Sequence, residues 1–223
     1  MKPEILRGIK ERHCKRAFLN KPVPKDTIND ILQIAGNAAS SKNSQPWQVA
    51  IITGKTKDTL SKKMCEQFDK GASDTPDYTY MTDPTPPHFK DRARDCGYRL
   101  FELKGIDKND HNKRKAHFRE NYTFFGAPVA LIFHLHPKAE PGNFLDIGLF
   151  MQNVMLGCIA YDLGSCPQFS ITSYTNTIKS LLTINKERII VCGMAIGYPD
   201  PKAKVNSFIP PRLTIENYSK WFD

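Results

Sequence analysis

Apolar residues recur every three or four positions from Pro3 to Arg12, where Ile5, Leu6 and Ile9 share one face and predict a first helix. The same period returns over Asp26 to Ala39 (Ile28, Ile31, Leu32, Ala35, Ala39) and over Lys57 to Lys70 (Leu60, Met64, Phe68), predicting two more. Between those two stands Trp47 to Thr53, WQVAIIT, a run that predicts a strand stopped by Gly54. Gly71 to Pro87 has no period. It carries Pro76, Pro84, Pro86 and Pro87 beside Tyr78 and Tyr80, so it predicts a long irregular excursion, either a cover over a site or a passive surface loop. Phe89 to Lys104 and Asp107 to Tyr122 predict two helices parted by Gly105. Ala127 to His136 (APVALIFHLH) is almost continuously apolar, which predicts a strand buried on both faces. Phe144 to Leu163 is apolar nearly all round and ends at Gly164, so it predicts a helix inside the molecule or at a subunit interface. Cys166-Pro167-Gln168-Phe169-Ser170 predicts a short strand or turn, Thr177 to Leu182 a short helix, and Arg188 to Tyr198 (RIIVCGMAIGY) a last strong strand. The tail then passes four prolines and turns apolar at Leu213, Ile215, Tyr218, Trp221 and Phe222, a pattern that predicts docking on its own core or on a partner.

These strands do not alternate one-to-one with helices, and no GxGxxG follows a strand, which argues against a Rossmann unit. The order predicts an α+β fold: three layers, with a mostly antiparallel central sheet flanked by helices. A chain of 223 residues, 40% hydrophobic and 25% charged, can bury a sizeable core. With no internal repeat and no low-complexity linker, one domain over 1–223 is expected. No apolar run is read as reaching the roughly 20 residues that span a bilayer, and Met1-Lys2-Pro3-Glu4 lacks the apolar core of a signal peptide. A cytoplasmic protein without a membrane partner is therefore expected.

Charge changes the picture little. The formal net charge of +9 suits an anionic partner, and the most basic run is Lys108 to Arg119. That run lacks the interleaved aromatics of a single-strand binder, so a solvated helix face is the simpler reading and nucleic acid is not expected. Six cysteines are scattered without a CxxC pair, which fits neither a disulfide framework nor a zinc site. His134-Leu135-His136 would place two rings on one face of a strand with no third ligand nearby in sequence, so no metal is expected.

Two short segments carry candidate chemistry. Arg12-His13-Cys14-Lys15-Arg16-Ala17-Phe18 packs three cations and a histidine into five positions, suited to a phosphate or another oxyanion. Ala38-Ala39-Ser40-Ser41-Lys42-Asn43-Ser44-Gln45-Pro46-Trp47 offers small residues that let a backbone approach a flat ligand, with neutral donors and acceptors on Ser40, Ser41, Asn43 and Gln45. Plainer readings stand beside these. Arg12 and Arg16 could form a surface ion-pair face, Ser40 to Asn43 an ordinary helix-ending turn, and Asn121 a helix end. Phe124 and Phe125 read as core and Trp47 as packing beneath the loop.

Together with NYTFFGAP, CPQF, and VCGMAIGYPDP followed by Pro211-Arg212, the two segments resemble the nitroreductase family of FMN-dependent oxidoreductases over nearly the whole chain. Within it, they are most similar to nitrobenzoate-reductase-like members. The resemblance implies an intertwined homodimer with two FMN sites in its interface, each built from both chains. It assigns Arg12, His13, Cys14, Arg16, Asn121, Pro167, Gln168, Phe169 and Arg212 to one subunit's share of the site and Ser40, Ser41 and Asn43 to the other's. Arg12 and Arg212 would hold the phosphate, Arg16 the anionic N1 and O2 edge, Asn121 the pyrimidine edge, and a backbone N–H around Gln168 to Ser170 would meet N5. Residues 71–120 would be an excursion over the active site and 199–223 a tail docked on the partner.

The implied activity is reduction of nitroaromatics, quinones or similar flat electrophiles by NADH or NADPH, through ping-pong hydride transfer that needs no side-chain acid or base. Alternatives are reduction of another electrophile on the same flavin (dehalogenation or an activated alkene), or flavin or nucleic-acid binding without turnover. The chain departs from the family pattern at Cys14, where a thiol replaces the usual serine hydroxyl, and at Ala39, where proline is common. Arg212 lacks the usual second basic residue, leaving Lys202 and Lys204 to compensate.

Overall fold

The computed structural model describes residues 4–81 and 83–222; Pro3, the expected start of the first helix, and the N-terminal Met1 and Lys2 lie outside them. Among the described residues, seven α-helices and four strands follow in the order α1 (Glu4–Glu11), α2 (Lys25–Ala35), β1 (Gln48–Thr53), α3 (Gly54–Asp69), α4 (Pro87–Leu103), α5 (His111–Arg119), β2 (Val129–Leu135), α6 (Pro141–Ala160), β3 (Gly164–Gln168), α7 (Thr175–Leu182) and β4 (Ile189–Gly197). The four strands form one sheet in the order β1-β2-β4-β3, and every pairing is antiparallel.

All seven residues of β2 are buried, as its apolar run predicts, because each face of the sheet has its own core. Val129, Leu131, Phe133 and Leu135 point to the layer of α2 and α6, where Ile31, Phe150 and Val154 meet them. Ala130 and Ile132 point to the layer of α3 and α7, packing with Leu60, Met64, Phe124 and Ile178. Period-two alternation between two apolar layers explains the three-layer α+β architecture from sequence alone. Each large side chain so buried contributes roughly 2 kcal/mol.

Boundaries move where local chemistry overrides periodicity. The helix expected over Asp26 to Ala39 ends at Ala35, and the chain then tightens into a turn over Ser41–Asn43. The helix expected over Asp107 to Tyr122 spans only His111–Arg119, because the Asp110 carboxylate accepts from the Lys113 N–H and caps it there. Beyond it Glu120–Gly126 forms tight turns with Phe124 at φ 52° and Phe125 at φ 53°, a conformation large side chains rarely adopt.

The interior helix expected over Phe144 to Leu163 runs instead from Pro141, started by a capping box between Glu140 and Asn143. At 20 residues, with a mean hydropathy of 1.3, α6 is long and apolar enough to cross a membrane, which corrects the reading that no run reaches that length. It lies instead against α2 and the sheet, with Ile147, Phe150, Val154 and Cys158 in the core and the acid Asp146 buried among them.

The excursion over 71–87 is irregular but firmly pinned. Asp77 accepts from Lys179 Nζ (2.6 Å) and from the Ile190 N–H (2.9 Å), and the Tyr78 hydroxyl donates to the Val191 carbonyl (2.7 Å). Those groups are free to pair because a bulge in β4 breaks the β2–β4 register at this point.

Candidate functional site

The segment Arg12–Phe18 runs as a strap beside β3. Its Lys15 N–H donates to the Ser165 carbonyl (3.1 Å), and Phe18 bridges Pro199. Close approach here requires glycine at 164: a Cβ there would stand 2.6 Å from Lys15 Cγ and 2.8 Å from Pro199 Cγ. The strap's other side is tied by Asn206, which is buried. Its Oδ1 accepts from the Arg16 N–H (2.7 Å), and its Nδ2 donates to the carbonyls of Ala17 (2.8 Å) and Asp200 (3.0 Å). His13 donates from Nδ1 to the Glu11 carbonyl (2.7 Å) and accepts Lys15 Nζ at Nε2 (2.7 Å), a tautomer assigned from this network. Sequence reading passed over Asn206 because it sits among prolines without a motif.

With backbone and neighbours tied down, the strap's cations stand free. Arg12 Nη1 reaches the Met155 sulfur (3.9 Å), and among the described residues no carboxylate lies within ion-pair distance of Arg12 or Arg16. Cys14, half-buried between them, packs into the same core cluster as Cys166 of β3. The Cys166 hydrogen bond, helped by Arg16 and Arg12 and opposed by burial, lowers Cys14 to about 6, while the same contact and burial push Cys166 well up.

The end of β3 joins this strap to Asn121. Gln168, 2% exposed, donates from Nε2 to the Asn121 carbonyl (2.5 Å). The Asn121 side chain itself turns back to the Phe118 carbonyl (3.0 Å), the helix-end role of the plainer reading. Gln168 Oε1 and Ser170 Oγ are buried without a partner. Two orphaned polar oxygens at the end of β3, and two guanidinium groups without a carboxylate on the strap beside that strand, are groups that a flavin, with its amide-like ring edge and its phosphate, would satisfy. Pro167 lies in β3 opposite Met194. Phe169, just beyond, stacks on Tyr80 at 4.2 Å between centroids. The two rings help line an apolar cavity of about 480 Å³ with Tyr78, Phe144, Ile147 and Met151.

The Ser40–Gln45 loop is built differently. Ser40 Oγ accepts from the Gln45 N–H (3.0 Å), so its hydroxyl closes the loop. The buried Asp146 of α6 accepts from the Ser41 N–H (3.3 Å) and the Ser44 hydroxyl (3.5 Å). A lone acid in an otherwise apolar helix was the signal for Asp146. Ser41 and Asn43 are exposed, and Trp47 packs beneath, stacked on Phe150 at 4.9 Å. No hydrogen bond or ion pair among the described residues joins this loop to Arg12–Arg16 within one chain.

Arg212 shares no hydrogen bond or ion pair with the strap among the described residues. Exposed, it donates to the carbonyls of Pro210 (3.0 Å) and Pro211 (3.3 Å), in a groove with Arg92 and Arg99 of α4. Within the basic run Lys108 to Arg119, Arg119 pairs with Asp69 (3.0 Å) and Lys113 with Asp110 (3.5 Å). His134 is buried and accepts from Arg188 Nε (2.6 Å), and burial lowers it to about 4. His136 lies beyond the end of β2, and among the described residues no group of three metal-ligating side chains could hold an ion.

Comparison with known proteins shows the family. The chain is 34% identical to a 4-nitrobenzoate reductase of Pseudomonas putida over 95% of its length and 92% of that protein's. Its fold superposes on the crystal structure of an FMN- and NADPH-dependent nitroreductase, NfnB, from Sphigopyxis sp. strain HMH with a TM-score of 0.95, at 30% identity over 98% of this chain and 99% of the other. A second NfnB, from Mycobacterium smegmatis and solved in complex with NADPH, superposes with a TM-score of 0.92 at 28% identity, over 98% of this chain and 97% of the other. Residues 9–198 match the model of the Nitroreductase family, and the chain belongs to that family.

Proposed function

We propose that this protein is an FMN-dependent NAD(P)H oxidoreductase that reduces nitroaromatics, quinones or similar flat electrophiles by ping-pong hydride transfer. What carries the reading is that β3 and the strap beside it hold, among the described residues, two arginines without a carboxylate, Arg12 and Arg16, and two orphaned buried oxygens, Gln168 Oε1 and Ser170 Oγ. When bound, the flavin supplies the two-electron chemistry. The residues of the chain position it. Arg12, with His13 and Cys14 beside it, faces the phosphate, and Arg212 joins them. Arg16 holds the edge that gains negative charge on reduction, so a fixed cation favours the reduced form. Asn121, Pro167, Gln168 and Phe169 border the ring system.

Ser40, Ser41 and Asn43 complete the site from a second copy of the chain. Exposed apolar side chains support that dimer: Leu145 (69% exposed) and Leu149 on α6, Ile5 on α1, and Trp221 (88%) and Phe222 on the tail all lack cover within one chain. The tail, 199–223, docks on the partner, and the 71–120 excursion borders the site. We place the enzyme in the cytoplasm, with no membrane or nucleic-acid partner.

One spectrum tests the core of this proposal. Purified protein should be yellow, bleach anaerobically with NADPH or NADH, and recover colour on adding a nitroaromatic. Colourless protein that takes up no FMN at micromolar concentration overturns it. Arg16→Ala separates roles further, since it should lower the flavin's potential and reduction rate more than it weakens FMN retention.

A further inference from the structure

The family chemistry makes no use of sulfur, yet this chain sets two thiols against each other in the middle of the site. The N–H of Lys15 donates to the carbonyl of Ser165 (3.1 Å), which fixes the strap against β3 and brings Cys14 beside Cys166. Both side chains pack into the core cluster on that face of the sheet. The two differ in access: Cys14 is half-buried, Cys166 only 2% exposed. Two guanidinium groups, Arg12 and Arg16, flank Cys14, and among the described residues neither has a carboxylate to quench it.

We propose that Cys14 and Cys166 are a peroxide-oxidisable dithiol, in which Cys14 is the attacking sulfur and Cys166 the resolving one. The Cys14 thiolate attacks one oxygen of a hydroperoxide ROOH; the S–O bond forms, the O–O bond breaks, and the alkoxide leaves and takes a proton to become ROH. The Cys166 sulfur then attacks the Cys14 sulfenyl sulfur. The S–S bond forms, the S–O bond breaks, and hydroxide departs with the Cys166 proton as water. Two thiols lose two electrons, and the hydroperoxide gains them.

Asymmetry within the pair suits these roles. The hydrogen bond from Cys166 and the two arginines hold Cys14 near 6, so it is thiolate at neutral pH. Cys166, pushed the other way, keeps its proton until the sulfenyl forms. The other buried thiols are inert by the same logic: burial pushes both Cys158 and Cys192 up to about 12. Cys192 belongs to the core on the opposite face of the sheet from Cys166. The pair does not depend on the flavin reading, because both sulfurs belong to this chain.

The test uses the protein as purified, treated with about ten equivalents of hydrogen peroxide, quenched, alkylated under denaturing conditions and mapped by peptide mass spectrometry. Two of the six thiols should disappear, a linked peptide pair containing Cys14 and Cys166 should appear, and dithiothreitol should restore both. The reaction rate should be half-maximal near pH 6. Cys166→Ser should leave Cys14 stranded as sulfenic acid, with dimedone labelling at least about tenfold above wild type. Cys96→Ser should change nothing. Six intact thiols after treatment, a link between any other two cysteines, or sulfinic acid on wild-type Cys14 without a link would each overturn the proposal.

Discussion

The Arg12–Phe18 strap and the Ser40–Gln45 loop are both irregular, both short and both candidates for the same ligand, yet the chain holds them in opposite ways. Asn206, Ser165 and Gly164 clamp the strap, and its arginines are left unpaired. Among the described residues only the long bonds to Asp146 tie the loop to groups outside it, and three of its residues sit at positive φ: Lys42 (53°), Asn43 (55°) and Gln45 (45°). The strap therefore brings a finished cationic surface to a ligand, its desolvation and ordering already met by folding. The loop is incomplete within one chain, as a segment that finishes its contacts in a second copy would be.

The largest break in that contrast should come from Asn206→Ala. The change removes the acceptor for the Arg16 N–H (2.7 Å) and the donors to the Ala17 (2.8 Å) and Asp200 (3.0 Å) carbonyls, all at a buried position. Three hydrogen bonds with a buried donor left stranded amount to roughly 3 kcal/mol, read as a lower midpoint in urea unfolding, together with loss of FMN retention. A change below about 1 kcal/mol would mean that the strap is held by something other than Asn206.

Acid should loosen the strap's side of the molecule next. His117 lies behind Arg16, buried with Nδ1 unpartnered, and burial, then Lys104 and Arg16, lower it to about 4. Its folded value lies below the ordinary 6.5, so the unfolded chain binds the extra proton between those values. Stability therefore rises with pH across that window and falls on acidification, by roughly 2 kcal/mol from pH 7 to pH 5 for this group. His134 titrates in the same direction and window. The comparison is thus wild type against His117→Leu, whose stability curve should be flatter by one proton, and equal slopes would remove His117 from the account.

Much of this was legible in the sequence, for a physical reason. Residues 129–135 and 189–197 are buried on both faces, so their apolar runs announce strands without ambiguity. RHCKRAF was legible as a cationic segment because charge density survives any fold. Its clamp was not, since Asn206 is one polar residue 190 positions away along the chain, and only tertiary structure brings them together. The turns at Phe124 and Phe125 were also hidden, because no rule of local propensity places two phenylalanines at positive φ. Core packing holds them there: Phe124 is fully buried beneath the sheet. Asp146 lay in plain view inside an apolar helix, and an unexplained acid there was the clue to the loop's one external tie.

Asp146→Ala should give a smaller and more local effect. The acceptors it removes sit at 3.3 and 3.5 Å, so global stability should shift by about 1 kcal/mol, while proteolytic nicking between residues 40 and 45 accelerates at least threefold. Equal nicking rates would show that the loop's internal bonds, Ser40 to Gln45 and Gln45 to Asn43, suffice to hold it.

Lys42→Gly should have the smallest effect and the most telling sign. Lysine at φ 53°, ψ 25° carries a steric cost that glycine escapes. Glycine also gives the unfolded chain more freedom, so the two terms partly cancel and the variant should be more stable by roughly 0.5 kcal/mol. Retention of FMN should move the other way, weakened about two- to threefold, because a loop released from its left-handed turn presents Ser41 and Asn43 less often in one geometry. A stabilised variant that holds flavin less well would show strain kept for binding, the counterpart of the strap's clamped backbone. A variant destabilised in the monomer would instead reveal that the Lys42 side chain is anchored within its own chain, and the contrast between the two segments would narrow to one of degree.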